Sequence, residues 1–339
     1  MNENDVNNKD FRKIDEIFKR YRIADTDKRE MKKVDKSKYS KNKYSRKISF
    51  DVVIKEKIEI YKKNITVERD ENKAIINIGK NKDSNNSSKD ISNIAILIED
   101  NIDTEIIADI DSNLNIILLS NNHKNLYINA YKNINLSLFD IAGLKEVVLK
   151  ALKHASISLN IIPLFRGDSS FKIKSFAIED SSISINEALV LKDEQKFDSE
   201  IYSFLEGRDC KASINSRALL YDKSLCMLKG YVESGEKSKG SISSLSQSAL
   251  LLSENAHADS IPVMAIKTND VKASHESFIV PINNDLLFFA ASRGVNEESF
   301  KRLVADGFIE PLLQKIIDEK GRNLAYNFIK EKLEDKKGV

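Results

Sequence analysis

The chain has little of what anchors a protein in a membrane or exports it from the cell. No apolar run among its 339 residues approaches the roughly 18 residues that a membrane-spanning helix needs. The N-terminus, MNENDVNNKD, lacks the charged, apolar and small-residue order of a secretory signal. These absences predict a soluble, cytoplasmic protein with no membrane partner.

Cysteine is equally scarce, with only Cys210 and Cys226 present. The two thiols could form one disulfide, but a large intracellular chain gains little from it, and a reducing compartment keeps thiols free. We therefore expect two free cysteines. Cys226 lies between Leu225 and Met227, a context typical of a small buried apolar residue.

Charge is nearly balanced, with 54 basic and 52 acidic side chains and a net charge of +2. A protein without an overall positive field is not expected to bind nucleic acid. Residues 28–47 are the exception, since they hold ten Lys or Arg against Glu30 and Asp35. No RNA-binding signature accompanies this segment, which favours a solvated linker over a contact with RNA, a membrane surface or an acidic partner.

Common enzyme motifs are also absent, including glycine-rich phosphate loops, H-E-x-x-H, paired C-x-x-C and the nucleophile elbow. The four histidines, at positions 123, 154, 257 and 275, are too far apart in sequence to form a local metal-binding pair. A metal site would have to be assembled by the fold or by a partner.

Apolar spacing divides the chain into segments. Residues 10–23 have the period of an amphipathic helix, 52–60 and 74–78 look extended, and 80–89 read as a polar loop. From about 91 to 282 the apolar period changes to two, which predicts strands.

These strands suit either a sandwich of antiparallel sheets or a solenoid of stacked coils. Only four prolines and eleven glycines, with Asn and Ser steps between short Ile/Leu strands, favour the solenoid. Residues 146–155 fit either a short helix or a buried strand.

The C-terminal part has a helical period. Asn296 is predicted to cap a helix that stops at Gly307, a second helix to run from about Glu310 to Gly321, with Pro311 in its first turn, and a third to run from 323 to 333.

The stretch from 254 to 308 is the most informative. Its pattern, together with the preceding Leu250–Ser253, resembles the C-terminal signature of the SufB/SufD family, whose members are β-helical subunits of the SUF iron–sulfur cluster assembly machine. The matching positions are Leu250–Ser253, Ala256, Pro262, Asp270–Lys272, His275, Leu287–Phe288, Ser292–Gly294 and Gly307–Phe308.

The resemblance implies a mainly β fold, a right-handed parallel β-helix (solenoid) with helical flanks. The expected division is a helical, lysine-rich segment at 1–72, a β-helix core at 73–284 and a helical C-terminal segment at 285–339. Arg217 and Gly230 match a family pattern that we interpret as coil geometry.

Alternation places Val271, Ala273, His275 and Ser277 on one face of a strand and Glu276 on the other. By residue type alone, His275 could be a core residue, a surface residue or a ligand, and Glu276 a solvated charge. The resemblance implies that both lie at a cluster-assembly interface, with His275 as a metal ligand shared with the partner.

Gln247 stands where the resemblance places the SufB cysteine that takes part in forming the cluster. Glutamine does not replace a thiolate ligand. We therefore expect no cofactor held stably by this chain alone, and a transient iron–sulfur cluster only at a partner interface.

The resemblance further implies that the C-terminal helices dock a SufC-like ABC ATPase, with Phe288, Arg293 and Phe308 as candidate contacts. The resulting interpretation is a non-catalytic, SufD-like subunit that pairs with a SufB-like subunit. The alternatives are a SufB-like homodimeric scaffold that uses Cys226 or Cys210, and a solenoid binding module without a redox role.

Overall fold

The computed structural model describes residues 52–54, 58–60, 65–69, 73–79, 92–98, 102–118, 125–140, 144–164 and 167–334. The expected helix at 10–23, the basic segment at 28–47 and the polar loop at 80–89 lie outside these residues. No described helix is both long enough and apolar enough to cross a lipid bilayer.

The described strands form two sheets. The first contains β1 (Val52–Ile54), β2 (Ile58–Ile60), β5 (Ser92–Ile98), β7 (Ser112–Leu118), β9 (Ile134–Asp140), β11 (Ser156–Pro163), β13 (Ser182–Leu191), β15 (Lys211–Leu220), β17 (Ser241–Leu251) and β19 (Val271–Pro281). The second contains β3 (Ile65–Arg69), β4 (Lys73–Ile78), β6 (Asp103–Ala108), β8 (Asn125–Ala130), β10 (Glu146–Ala151), β12 (Ser169–Ala177), β14 (Lys196–Leu205), β16 (Leu225–Ser234) and β18 (His257–Ile266).

From β4 onward, successive strands alternate between the two sheets, and each pairs in parallel with the strand two positions along the chain. Each coil therefore adds one strand to each sheet, which is a parallel β-solenoid. The solenoid expectation is confirmed, and the sandwich is excluded. Residues 146–155, which fitted a helix or a strand, begin with β10.

Side chains of one parity fill the interior between the sheets. Ile157 stacks on Ile183 and Leu159 on Ile185 because the register joins equal positions of neighbouring coils. All four belong to one buried cluster that runs through the solenoid. Burying each such side chain contributes about 1.5–3 kcal/mol before entropy is subtracted.

Three helices follow the last strand: α1 (Asn284–Ser292), α2 (Glu297–Leu313) and α3 (Glu319–Glu334). Apolar residues of α2 and α3 form a second buried cluster with the outer face of the first sheet, including Ala188, Val190 and Leu219. The predicted cap is confirmed, since the Asn296 side chain accepts a hydrogen bond from Ser299 N at 2.8 Å.

Four predicted helix boundaries are wrong, namely the end at Gly307, the start near Glu310, the end at Gly321 and the start at 323. Gly307 does not end a helix, because α2 continues through it and through Pro311, and Gly321 lies inside α3. The packing of Ala305, Ile309 and Leu312 against the sheet holds α2 together across these weak helix formers.

Candidate functional site

The two sheets end differently at the two ends of the solenoid. At the N-terminal end, the edge strands β2 and β3 have 3 and 5 residues and pair antiparallel with their neighbours. At the C-terminal end, the edge strands β19 and β18 have 11 and 10 residues. Residues 272–280 are all exposed. In the described part of the chain, this C-terminal end is the open end.

His275 lies at the open end on the inward-facing parity. It is in register with Leu245, whose side chain is only 1% exposed in the core. Ala273 and Ser277 are in register with inward-facing residues of β17 as well, as the alternation predicted. The imidazole is thus aligned with the buried side chains of the preceding coils. No described coil covers it, so it faces solvent.

Glu276 lies on the opposite face of β19, where its carboxylate is exposed. Ser246 Oγ on the neighbouring strand donates a hydrogen bond of 2.7 Å to Glu276 Oε1. This bond orients the carboxylate and leaves its other oxygen for a ligand or a partner.

Gln247 is buried one coil behind the open end, with 1% of its surface exposed. Its Oε1 accepts a hydrogen bond of 3.0 Å from Ser260 Oγ, which links the two sheets through the interior. A Cβ at Gly230 would lie 2.5 Å from Leu245 Cδ1 and 3.2 Å from Gln247 Nε2. Glycine is therefore required at 230 for these two side chains to fit.

Both cysteines are free, as expected, and both are buried. Burial raises the pKa of the Cys226 thiol well above its usual range, and the charges of Glu187 and Asp198 raise it further. A thiol in such surroundings stays protonated and is a poor metal ligand. No group of three or more His, Cys, Asp or Glu side chains suited to a metal ion occurs among the described residues.

The C-terminal helices present a second exposed surface. Phe288 is 78% exposed, Leu303 on α2 is 67% exposed, and Arg293 lies with its guanidinium 4.3 Å from the centre of the Phe289 ring. Phe308 is only partly exposed and packs against the second core cluster. Of the three residues expected to dock a partner, Phe288 and Arg293 are thus accessible, and Phe308 has a structural contact.

That structural contact involves Arg217, which sequence analysis assigned to coil geometry. Its Nη1 donates a hydrogen bond to the carbonyl oxygen of Phe308, and its guanidinium lies 5.4 Å from the centre of the Phe308 ring. Arg217 therefore joins the first sheet to α2.

Sequence reasoning missed two features. His257 Nε2 lies 3.3 Å from Asp259 Oδ2 on β18, a pair two residues apart on an edge strand. Glu187 is fully buried in β13, and burial raises its pKa to about 7 despite the opposing effect of the Ser216 and Ser199 hydroxyls. The signal for Glu187 was present, because it shares the parity of the buried residues Ile183, Ile185 and Leu189.

Comparisons with a family model and with curated proteins both match this chain to the SufBD family. A family model described as "SUF system FeS cluster assembly, SufBD core domain" matches residues 100–308, more than half of the chain. An iron-sulfur cluster assembly SufBD family protein of Pyrococcus horikoshii is 34% identical over 113 residues, which are 33% of this chain and 25% of that protein. One of Staphylococcus saprophyticus is 28% identical over 105 residues, 31% of this chain and 23% of that protein. The aligned part thus spans about a quarter of the length of these curated relatives.

Proposed function

Because the chain belongs to the SufBD core domain family of the SUF iron–sulfur cluster assembly system, we propose that it is a non-catalytic, SufD-like subunit of a cytoplasmic SUF complex. One observation carries this proposal. A buried glutamine, Gln247, occupies the position where the resemblance places the SufB cysteine, while His275 and Glu276 are exposed on the last strand beside it.

The cargo in this proposal is the cluster under assembly. Iron–sulfur clusters are held mainly by cysteine thiolates, with histidine as an occasional ligand. In the described part of the chain both cysteines are buried, so this chain offers imidazole and carboxylate but no thiolate at the open end. The thiolate then has to come from the other subunit, and His275 and Glu276 complete a shared site.

The open end suits pairing with that subunit. Long edge strands present unpaired backbone N–H and C=O groups that readily add a strand from another chain. Both β18 and β19 are such strands, and small side chains such as Ala273 and Ser277 leave room for a facing coil. We assign the facing coil to a SufB-like subunit, with a second copy of this chain as the alternative.

The exposed surface around Phe288, Phe289 and Leu303 is the proposed docking site for a SufC-like ABC ATPase. Exposed aromatic side chains near an arginine are typical of residues that contribute most to protein–protein binding. Arg293 lies beside Phe289 and adds such an arginine.

The scaffold alternative requires Cys226 or Cys210 to bind iron. Both thiols are buried, and the pKa of Cys226 is raised, which argues against this role without movement of the coils. A solenoid binding module without a redox role predicts no association with an ATPase.

The test is co-expression with an ABC-type ATPase and a cysteine-bearing homologue, followed by mass determination of the purified complex. We expect one stable assembly that contains all three chains. Recovery of this chain alone, or only as a homodimer with bound iron, would contradict the proposal and favour the scaffold.

A further inference from the structure

A fully buried lysine lies between two carboxylates on the outer face of the second sheet. Lys229 has the outward-facing parity of β16, because its neighbour Leu228 belongs to the interior cluster. Its side chain is nevertheless 0% exposed. Its Nζ lies 3.3 Å from Asp198 Oδ2 and 3.3 Å from Glu200 Oε1, both on the adjacent strand β14. The amine is therefore in contact with both carboxylates.

The register of the two parallel strands produces this arrangement. Lys229 pairs directly with Glu200, and Asp198 pairs with Met227, two positions earlier on β16. Residues of adjacent strands that are offset in this way are roughly 7–8 Å apart, a gap that a long side chain spans. The lysine side chain therefore reaches diagonally to Asp198 while its amine still contacts Glu200.

The two carboxylates differ in their other contacts. Glu200 Oε2 lies 3.2 Å from Lys172 Nζ and accepts a hydrogen bond of 3.3 Å from the Tyr202 hydroxyl. These contacts hold Glu200 with its other oxygen toward Lys229. Asp198 is 34% exposed, and Lys229 is the one cation of the described chain that forms an ion pair with it. Glu200 thus suits a proton acceptor, and Asp198 suits a carboxyl group that reacts.

The surroundings of the amine exclude water. Tyr202 and Met227, on the same face of the sheet, are 1% and 2% exposed. Keeping an ammonium group in such surroundings is costly even when it is paired, and a desolvated lysine is an activated nucleophile. Holding reacting atoms about 3–3.5 Å apart removes much of the entropy cost of bringing them together. The arrangement therefore favours condensation of the amine with a carboxyl group.

We propose that Lys229 and Asp198 form an intramolecular isopeptide bond that links β16 to β14, with Glu200 as the proton acceptor. The bond forms within the isolated chain and is independent of the proposed SUF function.

The condensation conserves atoms and charge and needs no oxidant or cofactor. Glu200 takes a proton from the Lys229 ammonium group, and the freed nitrogen attacks Cγ of Asp198. A C–N bond forms as one C–O bond breaks. The two protons that the nitrogen loses leave on that oxygen as water, and Glu200 returns to the carboxylate form. One positive and one negative charge disappear together, so the ion pair of Lys172 with Glu200 remains balanced.

Such a bond joins neighbouring coils of the solenoid through residues 31 positions apart. A covalent cross-link restricts the unfolded chain as a disulfide does. Unlike a disulfide, an amide bond persists in a reducing compartment. The two coils would thus be linked covalently without either buried cysteine.

Mass spectrometry of the full chain, purified folded and then denatured and reduced, tests the proposal. We expect an intact mass that is lower than the sequence mass by one water molecule. Trypsin should not cleave after Lys229. It should release a branched peptide in which residues 197–208 are joined to residues 224–237.

Three variants test the role of each group. Lys229→Arg keeps the positive charge but has a guanidinium that does not deprotonate, so it should have the full sequence mass. Asp198→Ala removes the reacting carboxyl group and should also have the full mass. Glu200→Gln should slow formation of the bond by about 10²–10⁴-fold, as loss of a general base does.

Lys223→Arg is the matched control. Lys223 Nζ lies 3.4 Å from Glu194 Oε1, also on the preceding coil, but both side chains are exposed. This variant should lose one water molecule exactly as the unmodified chain does. Thermal melting checks that each variant is folded.

A full sequence mass for the unmodified chain, with cleavage after Lys229, would show that the contact is only an ion pair and would overturn the proposal. Water loss confined to peptide 197–208 would instead indicate a cyclic imide at Asp198, which also overturns it. So would a branched peptide that persists in Asp198→Ala. Because the branched peptide is sought in the unmodified chain, the result does not depend on whether a variant folds.

Discussion

His275 and Glu187 show how position along the solenoid sets the chemistry of a residue. Both have the inward-facing parity of the first sheet, on β19 and β13. His275 has no coil above it in the described chain and is exposed, whereas Glu187 is covered on both sides and fully buried. The same parity therefore yields an accessible imidazole in one case and a desolvated acid in the other.

Replacing His275 with alanine should impair cluster assembly without unfolding the protein. The side chain is exposed, so its loss should change stability by no more than about 0.5 kcal/mol. The measurement is the activity of an iron–sulfur enzyme in cells whose SUF complex carries the variant, at equal protein abundance.

His154→Ala is the matched control, because His154 is also exposed and has a carboxylate partner, Asp180, but lies in a turn away from the open end. Normal assembly with His275→Ala, or an equal loss with both variants, would remove His275 from the proposed interface.

Replacing Glu187 with glutamine should stabilise the protein at alkaline pH. The pKa of Glu187 is about 7 in the folded chain against 4.5 ordinarily, so folding favours the neutral acid. Its favourable contribution is complete below pH 4.5 and is lost as pH rises through 7. At pH 8 the variant should be more stable by up to about 3 kcal/mol, from roughly 1.4 kcal/mol per pKa unit.

Urea denaturation at pH 5 and pH 8, with a chelator present, measures this difference. The Cys226 thiol does not interfere, because its pKa is raised and it stays protonated at both pH values. If the two proteins lose the same stability between pH 5 and pH 8, Glu187 is not the responsible group.

At the scale of elements, strands were predictable and helix ends were not. A period of two gives both the strand and the side that each residue faces, which is why the solenoid interior could be read from residues such as Ile157 and Ile183. The helix boundaries predicted from Gly307 and Pro311 were wrong because such a prediction considers only the local free-energy cost of glycine or proline in a helix. Glycine and proline cost about 1 and 3 kcal/mol in a helix, less than several buried apolar side chains contribute.

A helix start that depends on a local hydrogen bond can be predicted from the sequence, as the Asn296 cap shows. Asn296→Ala removes the acceptor for Ser299 N and should lower the free energy of unfolding by about 1 kcal/mol. Denaturant unfolding measures the loss.

Ser299→Ala is the control for this cap, since it changes the neighbouring side chain but keeps the backbone N–H that the cap accepts. Equal effects of the two substitutions would show that the cap hydrogen bond is not what stabilises the start of α2.

At the scale of the whole molecule, the sequence predicted only in part the two exposed surfaces, which are the open end of the solenoid and the surface around Phe288. The resemblance indicated the family, which the match over residues 100–308 shows. That His275 is accessible depends on where the stack of coils stops, and that Phe308 packs inward depends on Arg217. Neither fact can be predicted from the local sequence pattern, because both depend on how distant segments of the chain pack together.

The two surfaces should be separable by substitution. Ala273→Arg places a long charged side chain at the open end and should abolish recovery of the cysteine-bearing homologue while the ATPase still co-purifies. Phe288→Ala should do the reverse, because Phe288 is exposed away from the core. Quantified co-purification of each partner, with thermal melting as a folding check, gives the result.

Loss of both partners in either variant, at unchanged melting temperature, would mean that the surfaces form one interface. Retention of both partners in both variants would place the contacts elsewhere on the molecule.

The unequal ends of the solenoid also set a limit on growth. An interface that used the long β18 and β19 edges would leave, among the described strands, only the short antiparallel β2 and β3 as edges at the other end. Short edge strands are poor templates for adding further chains. If two solenoids joined through their open ends, the short edges described at the other end would be poor templates for a third chain, and the shared sheets would stop at two chains and not extend into a fibre.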